Sequence, residues 1–191
     1  MKTRALLFML SMTLAGCASK APTQIVLSPS VPHLSSVQTG ISAISLQVVD
    51  RRQANFIVRQ DSSATENHLV APAVPPSKLI SQVLTQAFEN QHIAVTPQAP
   101  IRLTIYIDDL LADVIQESFE YQVSSKVILS LEAVKGIHSF KKRYQVTGSL
   151  SGSLQLDYSQ LELELNKLID QITSDVLNDS ELNEFMASST K

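Results

Sequence analysis

Three acids that follow an alternating apolar stretch are the residues whose types could most readily do chemistry. Asp108, Asp109 and Asp113 lie close together in the chain, interleaved with Leu110 and Leu111. Paired carboxylates serve enzymes as general acid and general base, and their oxygens are the ligands that hard divalent cations prefer. The segment has no calcium-loop pattern, and its leucines interleave as core residues do. We therefore interpret the acids as a solvated strand end with a bulge; a catalytic or metal-binding role is the alternative.

The remaining candidates for catalysis do not form a known pattern. Gly148–Gly152 has the glycine frame of a hydrolase nucleophile turn, but Leu150 stands where the serine would be. We interpret its small residues as a sheet twist or a close backbone approach. The single cysteine excludes an internal disulfide and a cysteine-based zinc cluster, and five glycines supply no phosphate-binding loop. The four histidines lack metal-binding spacing; they are His33, His68, His92 and His138. The sequence therefore predicts a protein that is not an enzyme and that holds no metal or cofactor.

The densest positive charge, Lys141-Lys142-Arg143, lies on a segment with strand alternation. On a strand, Lys141 and Arg143 share one face, together with Lys126 if the hairpin register aligns them. We interpret Lys141, Lys142 and Arg143 as residues that aid solubility and protect a strand edge; the alternative is a candidate interaction patch for an acidic partner or an anionic envelope polymer. A second charged turn, Asp50–Arg52, is interpreted as a charged rim or a local ion pair. With 15 Lys+Arg against 18 Asp+Glu, the formal net charge of −3 argues against a nucleic-acid partner.

The N-terminus carries the most specific motif in the chain. A short basic region precedes the apolar run Ala5–Leu14, which as a helix is too short to span the hydrocarbon core of about 30 Å. Leu14-Ala15-Gly16-Cys17 then matches a bacterial lipobox. We expect residues 1–16 to be a signal peptide and Cys17 to be acylated, so that several acyl chains anchor the protein in a membrane. The alternative is a signal peptide with an incidental cysteine.

The residues after the cysteine indicate where the protein is sent. Ala18 and Ser19 follow Cys17, rather than the Asp that commonly retains lipoproteins in the inner membrane. In a Gram-negative cell this favours the outer membrane, with the protein facing the periplasm. Residues 17–40 are rich in Pro and Ser and are predicted to be a tether, in which Gln24–Ser28 has the pattern of a short edge strand.

The elements that must position the candidate residues form a single domain at residues 41–178. Apolar residues alternate at 41–50 and 55–60 and in three long segments between 101 and 154. Such alternation predicts a mostly antiparallel sheet with one covered and one open face. Spacing of 3.6 residues predicts helices at 77–90 and 157–177. The predicted fold is a two-layer α+β domain of order β-β-α-β-β-β-α, with two helices on one face, a loop at 61–74 and a polar tail at 179–191.

The lipobox, the Pro-rich tether and the strand that ends in Val48–Arg52 together resemble the YajG-like family of Gram-negative lipoproteins. The resemblance spans nearly the whole chain and implies the cellular location and the fold of the protein. This family is biochemically uncharacterised and has no assigned catalytic residues. Cys17 is therefore the only residue to which the resemblance assigns a role. We expect an outer-membrane lipoprotein that acts as an accessory or binding module for an envelope protein or peptidoglycan. The alternatives are a peptidoglycan-acting enzyme and a structural subunit of an envelope assembly.

Overall fold

The computed structural model describes residues 22–33, 40–62 and 65–188. The predicted signal peptide and Cys17 lie outside these described residues. The strands are β1 (Gln24–Ile25), β2 (Ala43–Asp50), β3 (Val58–Ser62), β4 (Thr65–Pro72), β5 (Ala94–Val95), β6 (Ile101–Gln116), β7 (Glu120–Lys135) and β8 (His138–Ser153). The helices are α1 (Pro76–Asn90), α2 (Tyr158–Leu177) and α3 (Ser180–Ala187).

The described strands form one mixed sheet built around the long strand β6. On one edge, β6 pairs antiparallel with β7, which pairs antiparallel with β8. On the other edge, β6 pairs parallel with β2 along its first half and parallel with β3 along its second half. β4 runs antiparallel to β3, and the two-residue strands β1 and β5 lie parallel to β4 and β2. The protein is therefore an α+β protein whose longest strand pairs are antiparallel.

The alternation along β7 and β8 separates a buried face of the sheet from an open one. Val127, Leu129 and Leu131 are buried in the core. The side chains that alternate with them in the three long strands define what we call the open face, including Tyr106 and Glu132. Helix α1 packs on β2 and β5, whereas α2 packs on β7 and β8. Their buried stripes recur every three to four residues, as the sequence predicts.

A bulge at Asp108 allows one strand to bury apolar residues along its whole length. Ile107 pairs with Leu129 while Asp109 pairs with Ile128, so that Asp108 is the extra residue. The extra residue reverses the alternation, and the buried positions change from odd to even numbers. The predicted bulge is present, but the predicted strand end at the acids is wrong, because β6 continues to Gln116.

The predicted elements occur in the predicted order, but the described fold contains three more strands and one more helix. The loop predicted at 61–74 is wrong, since β4 occupies most of it. Among the side chains of β4 that the structure describes, only Val70 is buried. The sequence of this segment is therefore too polar to show the apolar alternation that predicts a strand. The first two predicted strands, β2 and β3, both run parallel to β6, so this part of the sheet differs from the mostly antiparallel sheet that was predicted.

The C-terminal segment differs from the predicted polar tail. The Asp179 side chain accepts from the backbone N–H groups of Glu181 and Leu182 and so begins α3. Leu182 and Met186 are each 1% exposed and hold the short helix against the core. Only two of the eight residues are buried, which is too short a periodic signal for a helix to be predicted.

The described part of the predicted tether, residues 22–33, lies against the domain. Ile25 is fully buried, and β1 pairs with β4 as the edge-strand pattern predicted. The backbone N–H groups of Val26, Ser28 and Ser30 donate to side chains of α2; these acceptors are Glu162, Asn166 and Asp170. Successive donors are two residues apart on the extended chain, and successive acceptors are four residues apart on the helix. Both spacings rise roughly 6 Å, so each donor lies opposite its acceptor.

Candidate binding site on the open face of the sheet

The turn after β2 gives two neighbouring arginines different environments. The Arg52 side chain is 7% exposed and donates through Nε and Nη2 to the Asp50 carboxylate, at 3.0 and 2.8 Å. Its Nη1 donates to the carbonyl oxygens of Phe56 and Leu110, at 3.1 and 3.2 Å. Arg52 therefore fastens the connection between β2 and β3 to the bulge region of β6. The predicted local ion pair is present, with two further hydrogen bonds that no sequence pattern indicated.

Arg51 instead lies on the open face. Its guanidinium carbon is 3.2 Å from the centroid of the Tyr106 ring, and its backbone N–H donates to the Ile107 carbonyl oxygen. A guanidinium that stacks flat on an aromatic ring keeps its N–H donors at the edge, available to a ligand. Arg51 is therefore held in place without losing its capacity to bind an anion.

The strand register brings the predicted basic residues beside Arg51. Tyr106 pairs with Ser130, which pairs with Arg143, and Glu132 in the next row pairs with Lys141. These groups line a shallow cavity of about 310 Å³. We call Arg51, Tyr106, Lys141 and Arg143 the basic site.

The charges of the basic site suit an anionic ligand. Lys141 Nζ lies 3.0 Å from Glu132 Oε1, which neutralises part of the charge. Within the described ranges, Arg51 and Arg143 form no ion pair, and both are exposed. Guanidinium groups bind carboxylates and phosphates through two parallel hydrogen bonds. The site therefore presents two uncompensated donors of this kind on one rigid sheet.

The structure divides the predicted interaction patch. Lys141 and Arg143 lie on the open face, whereas Lys142 points to the other side of β8 because side chains alternate along a strand. Lys142 Nζ lies 2.7 Å from the Asp179 carboxylate and 2.9 Å from that of Glu181. Lys142 also lines the cavity, but its ammonium group holds α3 against the sheet and is not one of the cations of the basic site.

The group around Asp179 has shifted pKa values with a structural cause. Burial alone would raise the pKa of Asp179, but bonds from Lys142, the Leu182 N–H and Tyr144 outweigh it, so its pKa is lowered. Hydrogen bonds to Asp179 and Glu181 raise the pKa of Lys142. Burial, and then donation to Asp179, raise the pKa of the Tyr144 hydroxyl. The three shifts favour the charged ion pair and the neutral tyrosine, which are the states that these groups already hold at pH 7.

The three acids singled out in the sequence do not converge on a common site. Asp108 accepts from the Ser130 hydroxyl. Asp109 lies 2.7 Å from Lys126 Nζ, and Asp113 lies 2.7 Å from an Arg59 guanidinium nitrogen. Across residues 22–33, 40–62 and 65–188, no cluster of three or more His, Cys, Asp or Glu residues could hold a metal ion. Each carboxylate thus has its own partner.

The histidines also occupy separate places. His68 lies in β4 and contacts the Pro22 carbonyl oxygen through Nε2, at 2.9 Å. The carbonyl oxygen of His33 accepts from Asn178 of the helix α2 end. His92 follows α1 with a φ of 61°, and His138 begins β8.

Two glycines of the Gly148–Gly152 frame are explained by packing on the buried face. A Cβ at Gly148 would lie 3.2 Å from Leu168 Cδ1 of α2. A Cβ at Gly152 would lie 2.6 Å from Tyr121 Cε1, because the ring covers this position. The close approach predicted from these small residues is thus made by side chains.

Comparison of the chain with known protein families identifies the class of protein to which it belongs. A family of uncharacterised lipoproteins matches residues 29–187, and the chain belongs to this family. Within the described residues, no helix has both the length and the apolar character needed to cross a membrane. Membership of a lipoprotein family makes this a membrane-anchored protein of the cell envelope.

Individual relatives confirm the resemblance predicted from the sequence. The chain is 25% identical over 180 residues to the uncharacterised lipoprotein YajG of Escherichia coli K12, covering 91% of this chain and 90% of YajG. Its fold is similar to that of protein XCC0632 from Xanthomonas campestris, with a TM-score of 0.64 and 14% identity. That alignment covers 88% of this chain and 100% of the other. Rare lipoprotein B from Shewanella oneidensis aligns with a TM-score of 0.44 and 12% identity, over 67% of this chain and 96% of that one.

Proposed function

We propose that the protein is a non-catalytic binding module, anchored by lipid on Cys17 in the outer membrane, that holds an acidic segment of another envelope protein from the periplasmic side. The observation that carries this proposal is the pair of exposed guanidinium groups, Arg51 and Arg143, on one face of a rigid sheet. An acidic segment supplies the carboxylates that such groups bind in parallel.

Lipid anchoring makes modest contacts sufficient. The lipobox Leu14–Cys17 and the following Ala18-Ser19 support acylation and export to the outer membrane. Confinement to a surface raises the effective concentration of a partner in the same envelope, so a shallow site can hold it. A Cys17→Ser variant is expected to lose palmitate labelling in growing cells, and a labelled variant would refute the anchor.

A binding role fits the basic site better than catalysis does. Its cavity is open and shallow, and its cations are arginines and a lysine rather than groups that exchange protons near pH 7. The Ser130 hydroxyl in the cavity lining donates to Asp108, and among the described residues no His lines the cavity to activate it as a nucleophile. The site can therefore hold an anionic group by charge and hydrogen bonding.

Removal of the open-face charges tests this function. The Arg51→Ala/Arg143→Ala double variant should reduce recovery of the partner about five- to tenfold after cross-linking in intact cells, since two charge-assisted contacts are lost. The matched control is Lys78→Ala/Lys167→Ala, which removes two exposed cations from the helices and should leave recovery unchanged. Partners are identified by affinity recovery and mass spectrometry.

The outcomes separate the candidate partners. Equal recovery from both double variants would reject the basic site. Recovery of glycan fragments in place of a protein would show that the ligand of the basic site is peptidoglycan and not an acidic protein segment.

The free edge of β8 favours a second candidate, a structural subunit of an envelope assembly. Among the described strands, the 16-residue β8 pairs only with β7, so its other edge can accept a further strand. Recovery of the chain cross-linked only to copies of itself, and equally so from both double variants, would favour this candidate.

A further inference from the structure

An apolar cluster is exposed at the end of the sheet where β6 turns into β7. Ile115, Phe119 and Leu154 are 57%, 79% and 64% exposed, and we call them the apolar tip. Alternation in the sequence placed Phe119 and Leu154 on the covered face, but Phe119 lies in the turn and Leu154 follows β8. Their backbones are joined, because the Leu154 N–H donates to the Phe119 carbonyl oxygen at 2.8 Å. Residues 115–120 and Asp61 line a cavity of about 790 Å³ here.

The apolar tip is held rigidly outward. The Gln116 side-chain amide donates to the carbonyl oxygens of Glu117, Glu120 and Leu154. Its oxygen accepts from the backbone N–H of Leu156 at 3.2 Å. Leu154 has a φ of 71°, a strained conformation for a residue with a Cβ. The surrounding bonds hold this strain and keep the leucine exposed to solvent.

The chain enters the described fold close to this end. The Pro22 carbonyl oxygen contacts the side chain of His68 in β4. His68 pairs with Gln60 of β3, and Gln60 pairs with Val114 of β6. Pro22 therefore lies level with Val114, two residues before the end of β6. β4 begins beside the apolar tip, since its first residue pairs with the last residue of β3. β1 runs parallel to β4, away from the tip. Pro22, the first described residue, therefore lies at the end of β1 that is nearer the apolar tip.

The length of the leader between Cys17 and Pro22 limits where the lipid can be. Only four residues separate Cys17 from Pro22 in the sequence. Five Cα–Cα steps reach at most roughly 17 Å. Along the strand direction of β6, Gln116 lies two residues, or roughly 7 Å, beyond the level of Pro22. The apolar tip lies just beyond Gln116. Acyl chains on Cys17 and the apolar tip can therefore reach the same plane.

We propose that the apolar tip inserts into the surface of the membrane that holds the lipid on Cys17. This inference rests on the acylation of Cys17 in the proposed function. Phe119 and Leu154 gain from burial at the boundary of headgroups and acyl chains, and the short leader keeps them within reach of it. The protein therefore stands on its membrane by two attachments, the lipid and the apolar tip.

The charges around the apolar tip select the lipid. Asp61, Glu117 and Glu120 line the cavity, and among the described residues no Lys or Arg lines it. Carboxylates repel anionic headgroups over about a Debye length, so insertion favours a surface of zwitterionic lipid. The negative rim also keeps the domain from lying flat on an anionic surface.

A single tryptophan at the tip reports its environment, because the chain contains no Trp. The acylated full-length Phe119→Trp variant is placed in phosphatidylcholine vesicles with brominated acyl chains, which quench indole fluorescence at short range. The matched control is Ile137→Trp, a position 95% exposed in the turn between β7 and β8 at the opposite end of the sheet. We expect at least threefold quenching and a blue-shifted emission for Phe119→Trp, and neither for Ile137→Trp.

Several outcomes would overturn the inference. Equal quenching of the two variants rejects insertion of the apolar tip. A chain that fails to co-sediment with the vesicles in the same samples removes the anchor, and with it both this inference and the proposed function. Blue-shifted emission in whole envelopes without quenching in vesicles assigns the apolar tip to a protein partner instead. Stronger quenching when anionic phosphatidylglycerol is added at low salt rejects the zwitterionic surface.

Discussion

At the scale of single residues, Arg51 and Arg52 show how one turn supplies both a structural and a surface cation. Arg52 is enclosed by the Asp50 carboxylate and two backbone carbonyl oxygens, whereas Arg51 stacks on Tyr106 and keeps its donors exposed. A buried guanidinium in this geometry uses its planar fork, which a lysine ammonium cannot reproduce.

Conservative substitution distinguishes the two arginines. We expect Arg52→Lys to lower the free energy of unfolding by about 2 kcal/mol, because backbone carbonyls and a carboxylate lose their donors. Arg51→Lys is the matched control and should cost less than about 1 kcal/mol, the worth of an exposed cation–π contact. Urea unfolding at pH 7 measures both values, and equal costs would show that the fork of Arg52 is not a structural bond.

At the scale of elements, α3 is attached to the domain by the bonds of Asp179 as well as by its buried Leu182 and Met186. Its carboxylate caps the helix and also binds Lys142 and the Tyr144 hydroxyl, at 2.7 and 2.9 Å. Because Asn is as good a cap as Asp, an Asp179→Asn change keeps the cap and removes the ion pair. The change also removes the acceptor of the Tyr144 hydroxyl, so it measures the ion pair and this hydrogen bond together, apart from the cap.

The lowered pKa of Asp179 makes this contribution depend on pH. A carboxyl group whose pKa is lower in the folded than in the unfolded state stabilises the fold fully above the unfolded value, about 3.9. Its contribution is lost as the pH falls through the folded value. We expect Asp179→Asn to cost about 1–2 kcal/mol at pH 7 and progressively less below pH ~4, in urea unfolding series.

An exposed acid provides the control for that series. Asp175→Asn removes the same charge from α2, where Asp175 is exposed and forms no ion pair among the described residues. Its cost should stay within about 0.5 kcal/mol. A cost of Asp179→Asn that does not change between pH 7 and pH 3 would contradict the assignment.

The sequence predicted elements wherever the periodic signal was long. β6, β7 and β8 are each 16 residues long and alternate along most of that length, and the bulge at Asp108 was indicated by acids among leucines. β4 and α3 were missed because each buries too few apolar residues to set a period. The candidate site was half predicted: strand alternation placed Lys141 and Arg143 together, but the stacking of Arg51 on Tyr106 joins residues 55 positions apart in the chain.

At the scale of the whole molecule, the two proposed attachments fix an orientation for the basic site. Gly152 pairs with Tyr121 beside the apolar tip, and Arg143 lies nine residues back along β8. Nine residues of strand rise roughly 30 Å, so a protein standing on its tip presents the basic site about that far from the membrane. Docking of residues 22–33 along α2 leaves little free chain to absorb tilting.

A flexible insertion should weaken this orientation. We expect about 12 Gly/Ser residues placed between Ala18 and Ser19 to double the root-mean-square length of the leader, from roughly 12 to 23 Å. The effective concentration of the apolar tip at the membrane then falls about sixfold, and quenching of the Phe119→Trp variant by brominated lipid should fall toward that of Ile137→Trp. The same segment added after Lys191 is the control and should change nothing. Unchanged quenching with the inserted leader would show that the short connection to Cys17 does not hold the apolar tip at the membrane.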